Sequence, residues 1–360
     1  MSEKKLPGLD GLRAIAVALV LLFHRFLLPV GWIGVQIFFV LSGYLITRLL
    51  DRARAQPLAS YLREFYGRRA LRIFPLYYAA LLVIAVLAWG SPELAGLGFA
   101  ATYTYNFWYA TQAHEFSMLI THFWTLCVEE QFYLIWPFVI FFTPPHVRRA
   151  VLSAIVLAGP GLRLLGTCYL ARPGATVLFD PSVALDTLTP SHIDAFATGA
   201  LVALYPPRSP RLGLGLSAAL LALGGFVVLR KYHLPLLSFG YPIGLSNGFG
   251  FLWGFSLINV TSAFLIASLV ERRFLPALFE ARPLAYLGRI SYGLYVIHYP
   301  MQHAVDVLLP HSRMALKLAA QIVLTVIFAA LSFKLWEAPF LRLKDRWFKV
   351  TSAAPVAPAA

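Results

Sequence analysis

The chain has 360 residues, 59% of them hydrophobic and only 13% charged, with a mean hydropathy of +0.71. Soluble domains carry about 25% charged residues, so a chain this apolar cannot cover its own surface with polar groups and needs lipid as its solvent. The net charge of +14 does not mark a nucleic-acid partner, because the basic residues are spread through short segments between apolar runs.

The runs are long and unalternating (Ala14 to Phe23, Ile33 to Leu41, Leu76 to Ala88, Ile322 to Phe333), which suits membrane helices of ~20 residues and excludes an outer-membrane barrel. The fold class expected is all-α, a polytopic bundle of about ten membrane helices. The first two spans are 12–30 and 31–50, joined by a turn around Pro29 and Gly31. Lys4 and Lys5 precede the first run as in a signal peptide, but Arg13 interrupts the boundary and no small-x-small cleavage site follows, so the span is expected to be retained. A basic segment follows, with Arg48, Arg52, Arg54, Arg63, Arg68, Arg69 and Arg72, and then a third span at 73–89. The aromatic stretch 90–121 reads as an outer-face loop with a partly embedded helix. A full crossing there would carry Arg148 and Arg149 outside, against the positive-inside rule.

The remaining spans are 122–142, 150–170, 192–206, 212–229, 247–270, 286–309 and 314–336, with both termini inside. On this topology twenty-one basic residues lie in inner segments and six in outer ones: Arg25, Arg172, Arg230, Lys231, Arg313 and Lys317. The chain divides into a cytoplasmic N-terminus (1–11), a membrane domain (12–340) and a cytoplasmic tail (341–360) whose Ala- and Pro-rich end is expected to be partly disordered. There is no sign of a soluble domain, an internal repeat or a coiled coil. Cys127 and Cys168 give neither a disulfide framework nor metal-ligand spacing.

An ionisable group inside a span is costly, so each one is a functional candidate. Arg13 and His24 share the first span and stand ~16 Å apart along its axis, with Arg13 at the inner edge. Each also has a plainer reading: Arg13 snorkelling to lipid phosphate, His24 bonded structurally to a neighbouring helix. His122 opens the span that carries Glu129, Glu130 and Tyr133. Glu129 lies ~10 Å below its outer edge, close to the depth of His24, so the carboxylate is expected to orient the imidazole of a general base. Adjacent glutamates point ~100° apart on a helix, so Glu130 is expected to face elsewhere. Arg69 and Arg72 put two guanidiniums on one helix face at the inner edge, able with Arg13 to grip phosphates, or merely to set orientation. His298, deep in the span at 286–309, is a candidate for the same cavity as His24. Ser42 and Gly43 offer small residues for close helix packing, and Ser42, Glu130, Tyr133, His122 and His298 are the candidate cavity-lining set.

In this order the segments Leu9 to Ala16 through His24, Gly34 to Leu45, Arg68 to Pro75, Phe123 to Tyr133, Ile290 to His298 and Glu337 to Phe340 resemble the membrane-bound acyltransferase-3 family, from Leu9 to about Phe340. The resemblance implies a ten-helix O-acyltransferase of the bacterial inner (cytoplasmic) membrane. Such an enzyme takes an acyl group, acetyl in the first instance, from cytoplasmic acyl-CoA. It passes the group to a sugar hydroxyl of a surface polysaccharide, a lipid-linked oligosaccharide or a glycosylated small molecule. The family's arginine-x10-histidine pair falls on Arg13 and His24, its arginine-x-x-arginine on Arg69 and Arg72, and the first glutamate of its tryptophan-containing motif on Glu129. Catalysis is then expected from His24 and Glu129, and acyl-CoA binding from Arg13, Arg69 and Arg72. No metal and no permanently bound cofactor is expected; acetyl-CoA (acyl-CoA) is a donor substrate. Some relatives carry a further span and an extracytoplasmic hydrolase-like domain, and this sequence is expected to work with neither. The competing class is a transporter or flippase, since intramembrane His, Glu and Arg also mark substrate pathways.

Overall fold

The computed structural model describes residues 6–111, 117–170, 181–232, 250–272 and 274–348. In chain order the helices are α1 (Pro7–His24), α2 (Ile33–Ala53), α3 (Leu58–Leu87), α4 (Leu97–Ala101), α5 (Tyr105–Thr111), α6 (Trp124–Phe142), α7 (Pro145–Leu170) and α8 (Pro181–Thr187). They continue with α9 (Ile193–Leu204), α10 (Pro210–Tyr232), α11 (Gly250–Val270), α12 (Pro276–Phe279), α13 (Arg282–Arg289), α14 (Ser291–Leu308), α15 (Met314–Ser332) and α16 (Ala338–Trp347). There is no strand among the described residues. The all-α polytopic bundle is as the sequence indicates, and eight of the described helical segments are long and apolar enough to cross a bilayer. The chain is an integral membrane protein.

The lipid-facing surface follows from helix periodicity. On α10, Leu212, Leu216, Leu220 and Leu223 are each more than half exposed, a stripe at helical spacing that water would not tolerate at this extent.

Two of the ten expected spans fall outside those eight. The span expected at 192–206 is a helix of 12 residues, α9, preceded by a 3-10 turn at Thr189–Ser191. At ~18 Å it is shorter than the ~30 Å hydrocarbon core, and irregular backbone at such depth survives only when enclosed by protein. Seven of its residues, including Asp194 and Phe196, are buried. The span expected at 286–309 is divided at Ile290 into α13 and α14, and α14 carries a polar face with Ser291, His298, Gln302 and Asp306 that turns inward rather than to lipid.

α3 starts fifteen residues before the expected 73 and runs for 30 residues, ~45 Å, so the arginine segment is a helical extension of the span rather than a loop. Pro75 removes one of its backbone donors; nearby carbonyls are taken up by the Tyr292 hydroxyl (to Ile73, 2.9 Å) and the Trp336 indole N–H (to Pro75, 2.9 Å). The stretch 90–121 contains no crossing helix among its described residues. α4 lies against α3, with the Tyr77 hydroxyl donating to the Ala100 carbonyl at 2.7 Å and the Tyr77 and Tyr103 rings stacked at 4.5 Å, while α5 packs on α6 and α8. Residues 112–116, 171–180 and 351–360, which belong to the expected outer segments and tail, lie outside the described residues.

α2 and α9 cross at two glycines. A Cβ on Gly43 would overlap the Phe196 backbone, and one on Gly199 would overlap the Val40 carbonyl. Helix association in lipid depends on such close approach. Gly43→Ala is expected to lower stability by about 1–3 kcal/mol, the usual cost of overpacking, measured as denaturation in detergent against wild type. An unchanged midpoint would show that the crossing is looser than described.

Some loop charges turn out to be structural. Arg25, expected outside, is 4% exposed and donates to Asp306 (2.8 and 2.9 Å) and to Gln321. Arg148 pairs with Asp51 at 2.5 Å, and Arg54 donates to the Thr143 carbonyl at 2.9 Å, closing the α6–α7 turn.

Candidate active site

α1, α2, α3, α6 and α14 surround one pocket. Its basic wall is Arg13 from α1 with Arg69 and Arg72 from α3. Arg13 donates to Asp10 one turn earlier at 2.6 Å, and the Arg69 guanidinium lies 4.5 Å from the centre of the Tyr133 ring. Arg72 has Arg13 and Arg69 as repelling neighbours and Glu337, in the π-helical turn Phe333–Glu337, as its attracting one. Three like charges held together in a partly apolar cleft have the chemistry to take an anion.

The opposite wall is α6. Glu129 accepts hydrogen bonds from the Ser42 and Tyr133 hydroxyls. Glu130 lines the same pocket, contrary to the expectation that only one of the two would. Side chains ~100° apart can both reach a cavity that wraps around α6 from α3 to α2, and this one does. Ser42 is thus a pocket residue bonded to the carboxylate, and the packing role falls to Gly43 alone.

The expected pairing of Glu129 with His24 is not what the structure shows. His24 Nδ1 lies 2.9 Å from Nε2 of His298, and His298 Nδ1 lies 2.6 Å from the Tyr295 carbonyl. The third histidine, His122, bonds the Val296 carbonyl at 3.2 Å through Nε2, with its ring centre 5.1 Å from that of His298. His122 is seven residues before Glu129, so the carboxylate stands roughly 10 Å from the histidine cluster along α6. α6 enters deeper than its hydropathy suggests; it is His122, not Glu129, that shares the level of His24.

Tyr295 joins the two halves. It lines the pocket, donates to the His122 carbonyl at 2.9 Å and lies 2.5 Å from the Thr125 hydroxyl, while its own carbonyl holds His298. The pocket therefore runs from the arginines toward a wall of Thr125 and Tyr295, behind which the three imidazoles sit.

A family model described as an acyltransferase domain (acyltransferase 3) matches residues 6–335. The chain belongs to the acyltransferase-3 family. It is 29% identical to O-acetyltransferase OatA of Staphylococcus aureus (strain NCTC 8325 / PS 47) over 377 residues, covering 98% of this chain and 60% of the relative. It is 30% identical to peptidoglycan O-acetyltransferase OatA of Listeria monocytogenes over 395 residues, covering 99% and 60%. A putative O-acetyltransferase of Staphylococcus aureus (strain COL) is 29% identical over 363 residues. The chain thus spans about three-fifths of the length of the curated relatives it matches. No solved structure matches it significantly.

Within this acyltransferase-3 chain the motif residues form two groups, Arg13, Arg69, Arg72, Glu129 and Ser42 at the pocket and His24, His122 and His298 behind it. Sequence reasoning missed the supports of the second group. The Gln302 side-chain amide donates to the His24 carbonyl (2.9 Å), and that of Gln321 to the His298 carbonyl (3.1 Å). Gln321 is held in turn by Arg25, and Arg25 by Asp306. The available signal was the helical spacing of His298, Gln302 and Asp306, one inward stripe of α14. Among the described residues no group of His, Cys, Asp and Glu has an arrangement that would hold a metal ion.

Proposed function

We propose that this chain is a membrane O-acetyltransferase that takes an acetyl group from acyl-CoA on the cytoplasmic side and places it on a hydroxyl of a cell-envelope glycan. The observation that carries the reading is the single pocket with three arginines at one end and, at the other, the Tyr295–Thr125 wall bonded to the histidine cluster. The names of the relatives, one of them a peptidoglycan O-acetyltransferase, support acetyl as the group and a peptidoglycan-like sugar as acceptor.

In this reading the phosphates of coenzyme A rest against Arg13, Arg69 and Arg72. The pantetheine arm then covers the ~16 Å that one continuous helix, α1, sets between Arg13 and His24. His24 removes the proton of the acceptor hydroxyl as its oxygen attacks the thioester carbon. The C–S bond breaks, and the imidazolium returns the proton to the departing thiolate. Comparing envelope glycans by mass spectrometry with and without the protein tests the assignment. Loss of an acetyl mark with the protein is expected, and an unchanged glycan profile would refute it.

Arg69→Ala and Arg72→Ala are expected to weaken acetyl-CoA binding by roughly tenfold to a hundredfold each, since a charge-assisted contact contributes ~1.5–3 kcal/mol. Lysine should rescue only partly, having lost the bidentate fork. Normal donor affinity in the alanine variants, measured in detergent by calorimetry, would move the donor site elsewhere.

The arginine end is proposed to face the cytoplasm of a bacterial inner membrane, with both termini and the turn 144–149 inside. A cysteine at 147 should then resist an impermeant thiol reagent in intact cells; labelling from outside would invert the topology.

A further inference from the structure

The hydrogen bonds around His24 fix which of its nitrogens carries the proton. A carbonyl oxygen only accepts, so His298 Nδ1, 2.6 Å from the Tyr295 carbonyl, is protonated and donates. In a neutral imidazole the other nitrogen is then the bare acceptor. His298 Nε2 lies 2.9 Å from His24 Nδ1, so His24 Nδ1 must carry the proton of that bond. His24 Nε2 is left with the free lone pair, the state a general base needs.

We infer that His298 is the positioning residue of this site. It holds His24 in the Nδ1–H tautomer and shares the positive charge that appears when Nε2 takes the acceptor's proton. This deepens the proposed function and rests on its reading of His24 as the base. The role is the one a carboxylate plays in a serine-hydrolase triad, filled here by a second imidazole anchored to a backbone carbonyl.

Three observations support it beyond the pair itself. His298 is fully buried, so no water competes for its Nε2. The backbones on both sides are clamped by one network: Gln302 on the His24 carbonyl, Gln321 on the His298 carbonyl, and Arg25 with Asp306 fixing Gln321. The alternative partners do not bond His24. Glu129 is bonded to Ser42 and Tyr133, and the Nε2 proton of His122 goes to the Val296 carbonyl.

The test uses the full chain in nanodiscs with His298→Leu and His298→Gln. Leucine removes the acceptor and should lower kcat by roughly a hundredfold or more, with the KM for acetyl-CoA unchanged, as when a catalytic imidazole loses its tautomer partner. Glutamine, whose Oε1 can accept from His24 and whose amide can donate to Tyr295, should retain more activity than leucine. Nitrogen-15 spectra of labelled imidazoles should show wild-type His24 protonated at Nδ1, and a tautomer mixture in the leucine variant. A merely structural histidine would not move that signature. His24 protonated at Nε2 in the wild type, or a leucine variant with wild-type kcat, overturns the inference. If the leucine variant does not fold, the wild-type spectrum and the glutamine kinetics still decide. Absence of any acetyl transfer by the wild type would defeat the proposed function instead, leaving the tautomer assignment to stand or fall on the spectrum.

Discussion

His24→Ala is expected to lower acetyl turnover by roughly 10²–10⁴-fold, the contribution of a positioned general base, while acetyl-CoA still binds. The arginines that would take the phosphates line a pocket that does not include His24, so donor affinity and chemistry should separate in this variant. Folding should survive with a modest loss. Truncation leaves Nε2 of His298 without its donor in a buried site, which costs ~1–3 kcal/mol, and the Gln302 bond to the residue-24 carbonyl is untouched. Glu129→Gln is expected to act differently from the sequence-based view, impairing the pocket around Ser42 and Tyr133 and hence the donor KM more than the chemical step. The same variants separate two chemical routes. Direct transfer leaves no acetyl on the protein, whereas an acetyl-histidine route would leave a trapped label on wild type that His24→Ala lacks. Turnover near wild type in His24→Ala would remove this residue from the mechanism.

The largest stability effect is expected far from that pocket, at Arg163 and Asp194. Their side chains are 1% and 2% exposed and form a two-pronged ion pair at 2.8 and 2.9 Å. Arg163 also donates to the Ser191 carbonyl (2.5 Å) and the Ser256 hydroxyl (3.0 Å), tying α7 to α9 and α11. Asp194→Ala would leave a guanidinium buried without its countercharge, and about 3–5 kcal/mol of stability should be lost. The double change Arg163→Met with Asp194→Leu should recover most of it, since a buried pair replaced by apolar groups of similar size is often near neutral. Denaturation midpoints of the two singles and the double in detergent give the coupling. Additive losses would show that the two charges do not depend on each other.

How far the sequence discloses this molecule depends on the kind of signal. The long apolar runs give the bundle and most helices because lipid imposes one requirement, internal hydrogen bonding, and helices meet it. The short helix α9 escapes that logic because protein, not lipid, surrounds it. α3 is longer than hydropathy shows, since the arginine-bearing half is amphipathic rather than apolar. Arg13, Arg69, Arg72, Glu129 and His24 were legible as intramembrane charges in specific spacings, and the structure brings the first four to one pocket. The error lay in pairing His24 with Glu129 by depth alone: depth on two helices says nothing about which faces meet, and His298 was the nearer partner. Arg25 reads as a loop charge because it ends an apolar run, and Arg163 sat unremarked inside one. Both obey the rule that a buried charge has a partner, but Asp306 and Asp194 lie too far along the chain for the sequence to pair them.

The central claim, transfer from acyl-CoA to a glycan hydroxyl within this bundle, is tested most directly by following both products at once. The full chain in proteoliposomes would be given acetyl-CoA labelled in the acetyl group together with peptidoglycan fragments. Free coenzyme A thiol and label in the glycan are then measured in parallel. Thiol release should require the glycan, equal the label gained by it, fall by roughly 10²–10⁴-fold in His24→Ala and, at donor concentrations below saturation, by roughly tenfold to a hundredfold in Arg72→Ala. Thiol release with no label in the glycan, or transfer at the wild-type level by either variant, would contradict the claim.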